Sequence, residues 1–296
     1  MGNISAKEEF PPELSFQIEG GYRTDDLDWN IAGNLQGSSP NILSELTWED
    51  VEIYQLKIKG KFDVGDGGSL PFTTFVKGEF GYGWIVDGDN QDSDFEGDNR
   101  TLEVSRSTNS TDGDDVIDLS FGFGFSFHFL KDKLSLSPVF GFSYNEQNLN
   151  ITDFFQTIPP AGPFAGTSTY KTEWKGLWAG FDIKYLPTTK FSLFGSFEYH
   201  WGDYEAEADW ALRPDFAHPR SFIHEDDFSG ISVSGGASYD LTTKWSCGIN
   251  ATYLKWKTDV GTDRTFFADG STSETQLNQV NWESLAVMVS IAYSFF

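Results

Sequence analysis

The chain has 296 residues, with 20 Lys and Arg against 45 Asp and Glu, a net charge of −25, and 17% aromatic residues. That balance excludes a nucleic-acid binder, which neutralises phosphate with Lys and Arg. A single cysteine, Cys247, excludes a disulfide framework and a zinc ribbon, and no apolar run approaches the roughly 20 residues of a membrane helix.

The N-terminal "MGNISAKEEFPPE" lacks the apolar stretch of a secretory signal, so an exported form is expected to have lost its signal already. From residue 13 onward, apolar and polar residues alternate with period two, the pattern of strands with two unlike faces. Ten segments carry it: 13–24, 46–62, 70–86, 115–129, 133–147, 170–186, 190–211, 229–241, 243–258 and 280–296. In the third, Phe72, Thr74, Val76, Phe80, Tyr82 and Trp84 oppose Thr73, Lys77, Glu79, Gly81 and Gly83. In the fourth, "DLSFGFGFSFHF", Phe121, Phe123, Phe125, Phe127 and Phe129 oppose Gly122, Gly124, Ser126 and His128. The seventh sets Phe191, Leu193, Phe197, Tyr199 and Trp201 against Ser192, Ser196, Glu198 and His200.

Short connections (63–69, 130–133, 186–190, 240–243) alternate with long ones (24–50, 87–114, 148–169, 202–228, 258–279). Outer-membrane barrels have this shape, with tight periplasmic turns and long outer loops. The fold expected is all-β: one ten-stranded antiparallel transmembrane β-barrel over 13–296, preceded by a periplasmic segment, 1–12. Its apolar face meets lipid, and charged residues such as Lys77, Glu79, Asp182, Lys184 and Glu198 line a polar lumen. A soluble sandwich or lipocalin-like barrel turns its faces the other way. Trp84, Trp201, Tyr144, Tyr185, Tyr239 and Tyr253 sit near segment ends, where aromatic girdles belong. The apolar set of the last strand is in phase with Phe295, one residue before the terminal Phe296.

The long loops hold most of the acid. Loop 24–50 has six acids and no Lys or Arg; 87–114 has nine against Arg100 and Arg106; 202–228 has eight against Arg213 and Arg220. Gathered at one mouth, they concentrate cations and basic peptides, or simply keep the protein soluble and apart from its neighbours.

Three stretches resemble the omptins, ten-stranded outer-membrane endopeptidases: "DDLDWNIAG" (25–33), the run 170–210, and the spacing from Pro71 to "NQDSDF" (90–95). The overall pattern is also similar to non-classical omptin-like proteins of chlamydia relatives. The resemblance implies an Asp–Asp couple facing an Asp–His dyad across the mouth, with water as the nucleophile. It places the couple on Asp92 and Asp94, a P1-binding acid on Glu207 and the dyad aspartate on Asp209, with Asp25 as a second acid for a basic side chain. The dyad histidine position is Ala211. The nearest substitute is His218, paired with Asp215 or Asp209. Glu207 and Asp209 fall on the lipid-facing parity, so a bulge is needed to turn them inward. His128 and His200 read as lumen residues, and His224 as a solvated loop residue beside Glu225 and Asp226. Cys247 faces lipid and has no nucleophile's setting.

The resemblance also implies lipopolysaccharide as an activator, held by Lys175, Lys255 and Lys257 or bridged to carboxylates by divalent cations; no other cofactor and no metal centre is expected. The expected location is the bacterial outer membrane. The expected partners are its lipid and lipopolysaccharide and basic peptides, with the chain a monomer. Two functions remain open. One is a surface endopeptidase acting on basic peptides, favoured by the retained acids. The other is a non-catalytic structural, adhesive or cation-attracting barrel, favoured by the missing histidine at 211. A general porin fits less well, because small lumens fill with side chains.

Overall fold

The computed structural model describes residues 13–65 and 72–295. The segment 1–12, Pro71 and Phe296 lie outside the described residues. The described residues are all-β and antiparallel, with thirteen strands. They are β1 (Glu13–Ile31), β2 (Ser44–Gly65), β3 (Phe72–Gly97), β4 (Thr101–Ser110), β5 (Asp115–Phe129), β6 (Leu134–Ile158) and β7 (Gly162–Pro163). After them come β8 (Ser168–Tyr185), β9 (Phe191–Asp209), β10 (Phe222–Asp240), β11 (Trp245–Thr258), β12 (Gly261–Phe266) and β13 (Thr272–Ser294).

Ten of them form a ring, β1-β2-β3-β5-β6-β8-β9-β10-β11-β13, closed by β1 pairing with β13 from Ser15–Ser294 to Ile31–Leu277. Closure leaves no backbone edge in hydrocarbon. Toward the outer end, β4 takes the place of β5 between β3 and β6, and β12 that of β11 between β10 and β13.

The expected long loops are therefore mostly strand. β1, β3 and β6 run on past the apolar segments, and β4 and β12 lie wholly within the stretches assigned to loops. The reason is an exchange of residue types at constant parity. On β9, Leu193, Tyr199 and Trp201 face outward and are exposed, and Ser192 and His200 face inward and are buried. Above Trp201 the outward positions become Asp203, Glu205 and Glu207, and the inward ones Tyr204, Ala206, Ala208 and Trp210. β1 does the same: Phe16, Ile18 and Tyr22 point out over Glu19, Arg23 and Asp25, then Asp26 and Asp28 point out over Leu27 and Trp29. The lower half suits lipid outside and water inside; the upper half suits water outside and an apolar core.

The lipid-facing stretch of β9 from Phe191 to Trp201 matches the 9–11 residues of a spanning strand. Phe121, Phe123 and Phe129 are exposed on the outer face, as the alternation predicts. The glycines between them make room inside: a Cβ on Gly141, which pairs with Gly122, would lie 2.3 Å from the Trp178 ring, and one on Gly124 2.5 Å from Phe75. Below Trp178 and Trp256 the lumen is a polar cavity of about 900 Å³ whose lining reaches the periplasmic turns at Leu186 and Thr242–Lys244. Ion pairs cross it: Lys57 and Lys59 with Glu79, Lys77 with Asp182, and Arg23 with Asp118.

Above the cavity the interior is filled. Trp29, Trp48, Tyr170, Trp174, Tyr204, Phe228, Trp256 and Trp282 form one cluster with Leu27, Leu46, Ile53, Ile151 and Val280. Each such aromatic hides about 150–250 Å², a gross gain of about 4–6 kcal/mol. This core seals the ring at its outer end.

Candidate functional site

Two register shifts between β2 and β3, at Glu49–Glu52 and Glu52–Ile53, exchange the inward parity of both strands. Below them Ile85 points in; above them Asn90, Asp92 and Asp94 share the face of Trp48 and Leu46, with Asp92 and Asp94 half-buried and the intervening Ser93 and following Phe95 buried. Asp92 lies across from Leu46 of the core on one side and Ser107 on the other, and Asp94 lies between Ser44 and Ser105. Burial, then the charge of Asp94, raises the Asp92 carboxyl well above the usual range, with Arg213 opposing. Burial also raises Asp94, against hydrogen bonds from Ser44 and Ser105 and the charge of Arg213. The two acids thus share a partly desolvated site at the rim, and the cation that opposes their shifts comes from the chain itself.

Arg213 sits in the connection 210–221, whose Leu212 and Phe216 pack on the core. Its guanidinium stacks over the Phe216 ring at 4.3 Å and donates to both oxygens of Asp215, at 2.9 and 2.8 Å. That fork holds the exposed Asp215 carboxyl below its usual range. Asp215 is therefore committed to Arg213. His218 pairs instead with Asp209, Nδ1 donating to Oδ1 at 2.5 Å, an arrangement that leaves Nε2 as the remaining basic nitrogen.

The bulge expected in β9 is absent: β9 pairs with β8 and β10 without a register shift. Glu207 and Asp209 stay on the outward parity, and Glu207 is half exposed and bound to Arg220 at 2.9 Å. The inward positions at this height are Ala206, Ala208 and Trp210. Asp25 is also elsewhere than a substrate pocket requires. It is 2% exposed in the lumen and accepts from Arg23 twice, from Gln147 at 2.9 Å and from Trp282 Nε1 at 3.0 Å.

The other histidines divide. His200 faces the lumen as expected, against Ser143 at 3.2 Å and Glu198 at 3.1 Å. His128 lies 3.5 Å from Thr73 near the periplasmic turn. His224 is not solvated. β10 begins at Phe222, so His224 falls on an inward position and is fully buried. Its Nδ1 lies 2.8 Å from the Tyr170 hydroxyl, and its Nε2 3.2 Å from Asp263 Oδ1. The alternation in "DYEAEADW" (203–210) was the available signal that strand continues into this region; nothing local marked Arg213 or Asp263.

On the outer wall, Lys175 is paired with Glu205 at 2.7 Å and Lys255 with Glu283. Among the described residues no group of three or more His, Cys, Asp or Glu is arranged to hold a metal ion.

The Protochlamydia outer membrane protein family model matches residues 17–295. No curated protein matches the chain. Among solved structures, the outer membrane protease OmpT from Escherichia coli superposes with a TM-score of 0.75 at 13% identity, covering 97% of this chain and 98% of its own. The outer membrane protein OprG from Pseudomonas aeruginosa is far less similar in shape, with a TM-score of 0.37 at 13% identity over 95% of each chain. The likeness to OmpT shows an omptin-like barrel fold and no more. Closed ring, lipid-facing aromatics and family match agree: the chain is a β-barrel of the bacterial outer membrane and belongs to the Protochlamydia outer membrane protein family.

Proposed function

We propose that this protein is a non-catalytic surface barrel whose sealed, acidic outer end attracts cations and basic partners. The observation that carries this reading is the separation of the acid–base groups at the rim. Asp92 and Asp94 share the face of Leu46 beside a filled core, whereas Asp209 lies on the outward parity of β9 and His218, in the connection that follows, is bound to it. A water attacking a peptide carbonyl needs base and orienting groups around one point. Here Trp210 and the apolar core occupy the inward rim, and Arg213 counters the acidic couple. The outward carboxylates on β1, β9 and β10 supply a long-range field for basic partners.

The endopeptidase reading retains one specific support, the Asp209–His218 pair at 2.5 Å. One assay separates the two. The barrel is reconstituted with lipopolysaccharide and offered a fluorogenic Arg-Arg peptide, alongside His218→Ala and Asp92→Ala. The expected result is no cleavage above the blank by any of the three, with salt-sensitive binding of the peptide to the parent. Cleavage by the parent that either change abolishes overturns the proposal.

A further inference from the structure

The acidic couple at the rim sits among buried oxygens that nothing satisfies. On the shared face of β3 and β4, Asp94 lies across from Ser105, Asp92 from Ser107 and Asn90 from Asn109. Ser107 is 2% exposed and Asn109 6%. Neither the Ser107 hydroxyl nor Asn109 Oδ1 has a hydrogen-bond partner among the described residues. The Asn109 amide is held in place: its Nδ2 donates to Asn90 Oδ1 at 2.7 Å, and Asn90 donates to the Thr47 carbonyl at 3.0 Å. Buried polar atoms without a partner are rare and point to a missing one, a water or an ion.

Asp92 has neither a hydrogen bond nor an ion pair among the described residues. Ser44 and Ser105 hydrogen-bond to Asp94. Arg213 is tied to Asp215 by its two-point fork. Residues paired across two strands have Cβ atoms about 4.5–5.5 Å apart, and residues two apart on one strand are about 6.5 Å apart. Asp92, Asp94 and Ser107 therefore bracket a space into which each can extend an oxygen. A hydroxyl opposite a carboxylate ordinarily bonds to it. Here the two stand unbonded, as oxygens around a shared cation do. Ser107 is too deeply buried for the side chain of a partner to reach, but not for a bare ion.

We propose that this face of β3 and β4 is a calcium site. Asp92 and Asp94 supply carboxylate oxygens and Ser107 its hydroxyl oxygen. Water fills the remaining positions on the half-exposed side, one of them held by Asn109 Oδ1. Ser44 and Ser105 orient the Asp94 carboxylate from behind. Only two carboxylates take part, and neutral oxygens make up the rest. Such a mixed, irregular shell suits Ca²⁺, which takes about six to eight oxygens at about 2.3–2.6 Å, whereas Mg²⁺ demands a near-octahedral shell at about 2.0–2.1 Å. The assignment rests on the reading of the outer end as cation-attracting and gives it one specific ion site.

The test is calorimetric titration of CaCl₂ into the folded barrel in detergent, after EDTA and dialysis. A second readout is Tb³⁺ luminescence sensitised by Trp48, which lies across from Asn90 on the same face. The parent is expected to bind one Ca²⁺ per chain saturably, and Ca²⁺ to displace Tb³⁺ at concentrations where Mg²⁺ does not. Asp92→Asn and Asp94→Asn should each weaken binding at least tenfold and Ser107→Ala at least threefold. Asp132→Asn, at an exposed position in a periplasmic turn, should leave it unchanged. The terbium readout on the parent stands even if a variant fails to fold. No saturable binding, equal displacement by Mg²⁺, or unchanged affinity in Asp92→Asn overturns the site. If the Arg-Arg peptide still binds in a salt-sensitive way, the site alone falls. If that binding is absent too, the reading of the outer end falls with it.

Discussion

Asp92 is a residue whose charge the fold disfavours. Its carboxyl is raised by burial and by Asp94, so the folded state holds that proton more tightly than the unfolded chain does. Such a group contributes stability below its unfolded pKa, and that contribution is lost as pH rises through the folded pKa. Asp92→Asn removes the loss. It is expected to stabilise the barrel at pH 8 by about 0.5–2 kcal/mol and to leave it unchanged near pH 3, measured as the urea midpoint of the folded, heat-modifiable gel band. Arg213→Ala has the opposite sign: it removes the cation that opposes both shifts. Its cost is expected to be larger at pH 8 than at pH 4. Equal midpoints at both pH values for both variants would show that the rim acids carry no such coupling.

Along a strand, cost is set by height as well as by face. Phe121, exposed in the membrane stretch of β5, is expected to lose about 2–4 kcal/mol on change to Arg, the depth-dependent cost of a cation at the lipid face. Asp203 lies on the outer face just above Trp201 and pairs across from Asp227. Asp203→Arg there is expected to shift stability by less than about 0.5 kcal/mol. Inside, Trp174→Ala opens a cavity in the upper core and should cost about 3–5 kcal/mol. Folding titrations into lipid vesicles rank all three. The lower strands were legible because lipid demands apolar residues at every second position, and ten such runs stand out. The upper part of β9 was legible too, inside the run 190–211; that of β3 was not, because "NQDSDF" carries the acids expected of loops while keeping the strand period. The Asp92–Asp94 couple was suggested only by the resemblance to the omptins. Its inward turn depends on the β2–β3 register shifts, and its counter-ion, Arg213, lies in an irregular connection with no periodic signal.

At the scale of the whole molecule, two barrels are stacked on one set of strands: a wet-centred one in the membrane and a dry-centred one above it. The dry half blocks the axis, so no steady conductance is expected in a planar bilayer; stepwise openings would show a path through the core. The most direct test of this polarity exchange is spin-label accessibility along β9, in a Cys247→Ser background. Labels at Leu193, Phe197 and Trp201 should be reached by oxygen dissolved in lipid, those at Glu205 and Glu207 by a water-soluble nickel chelate, and one at Ala206 by neither. Lipid access at Glu205 and Glu207, or nickel access at Ala206, would contradict the account.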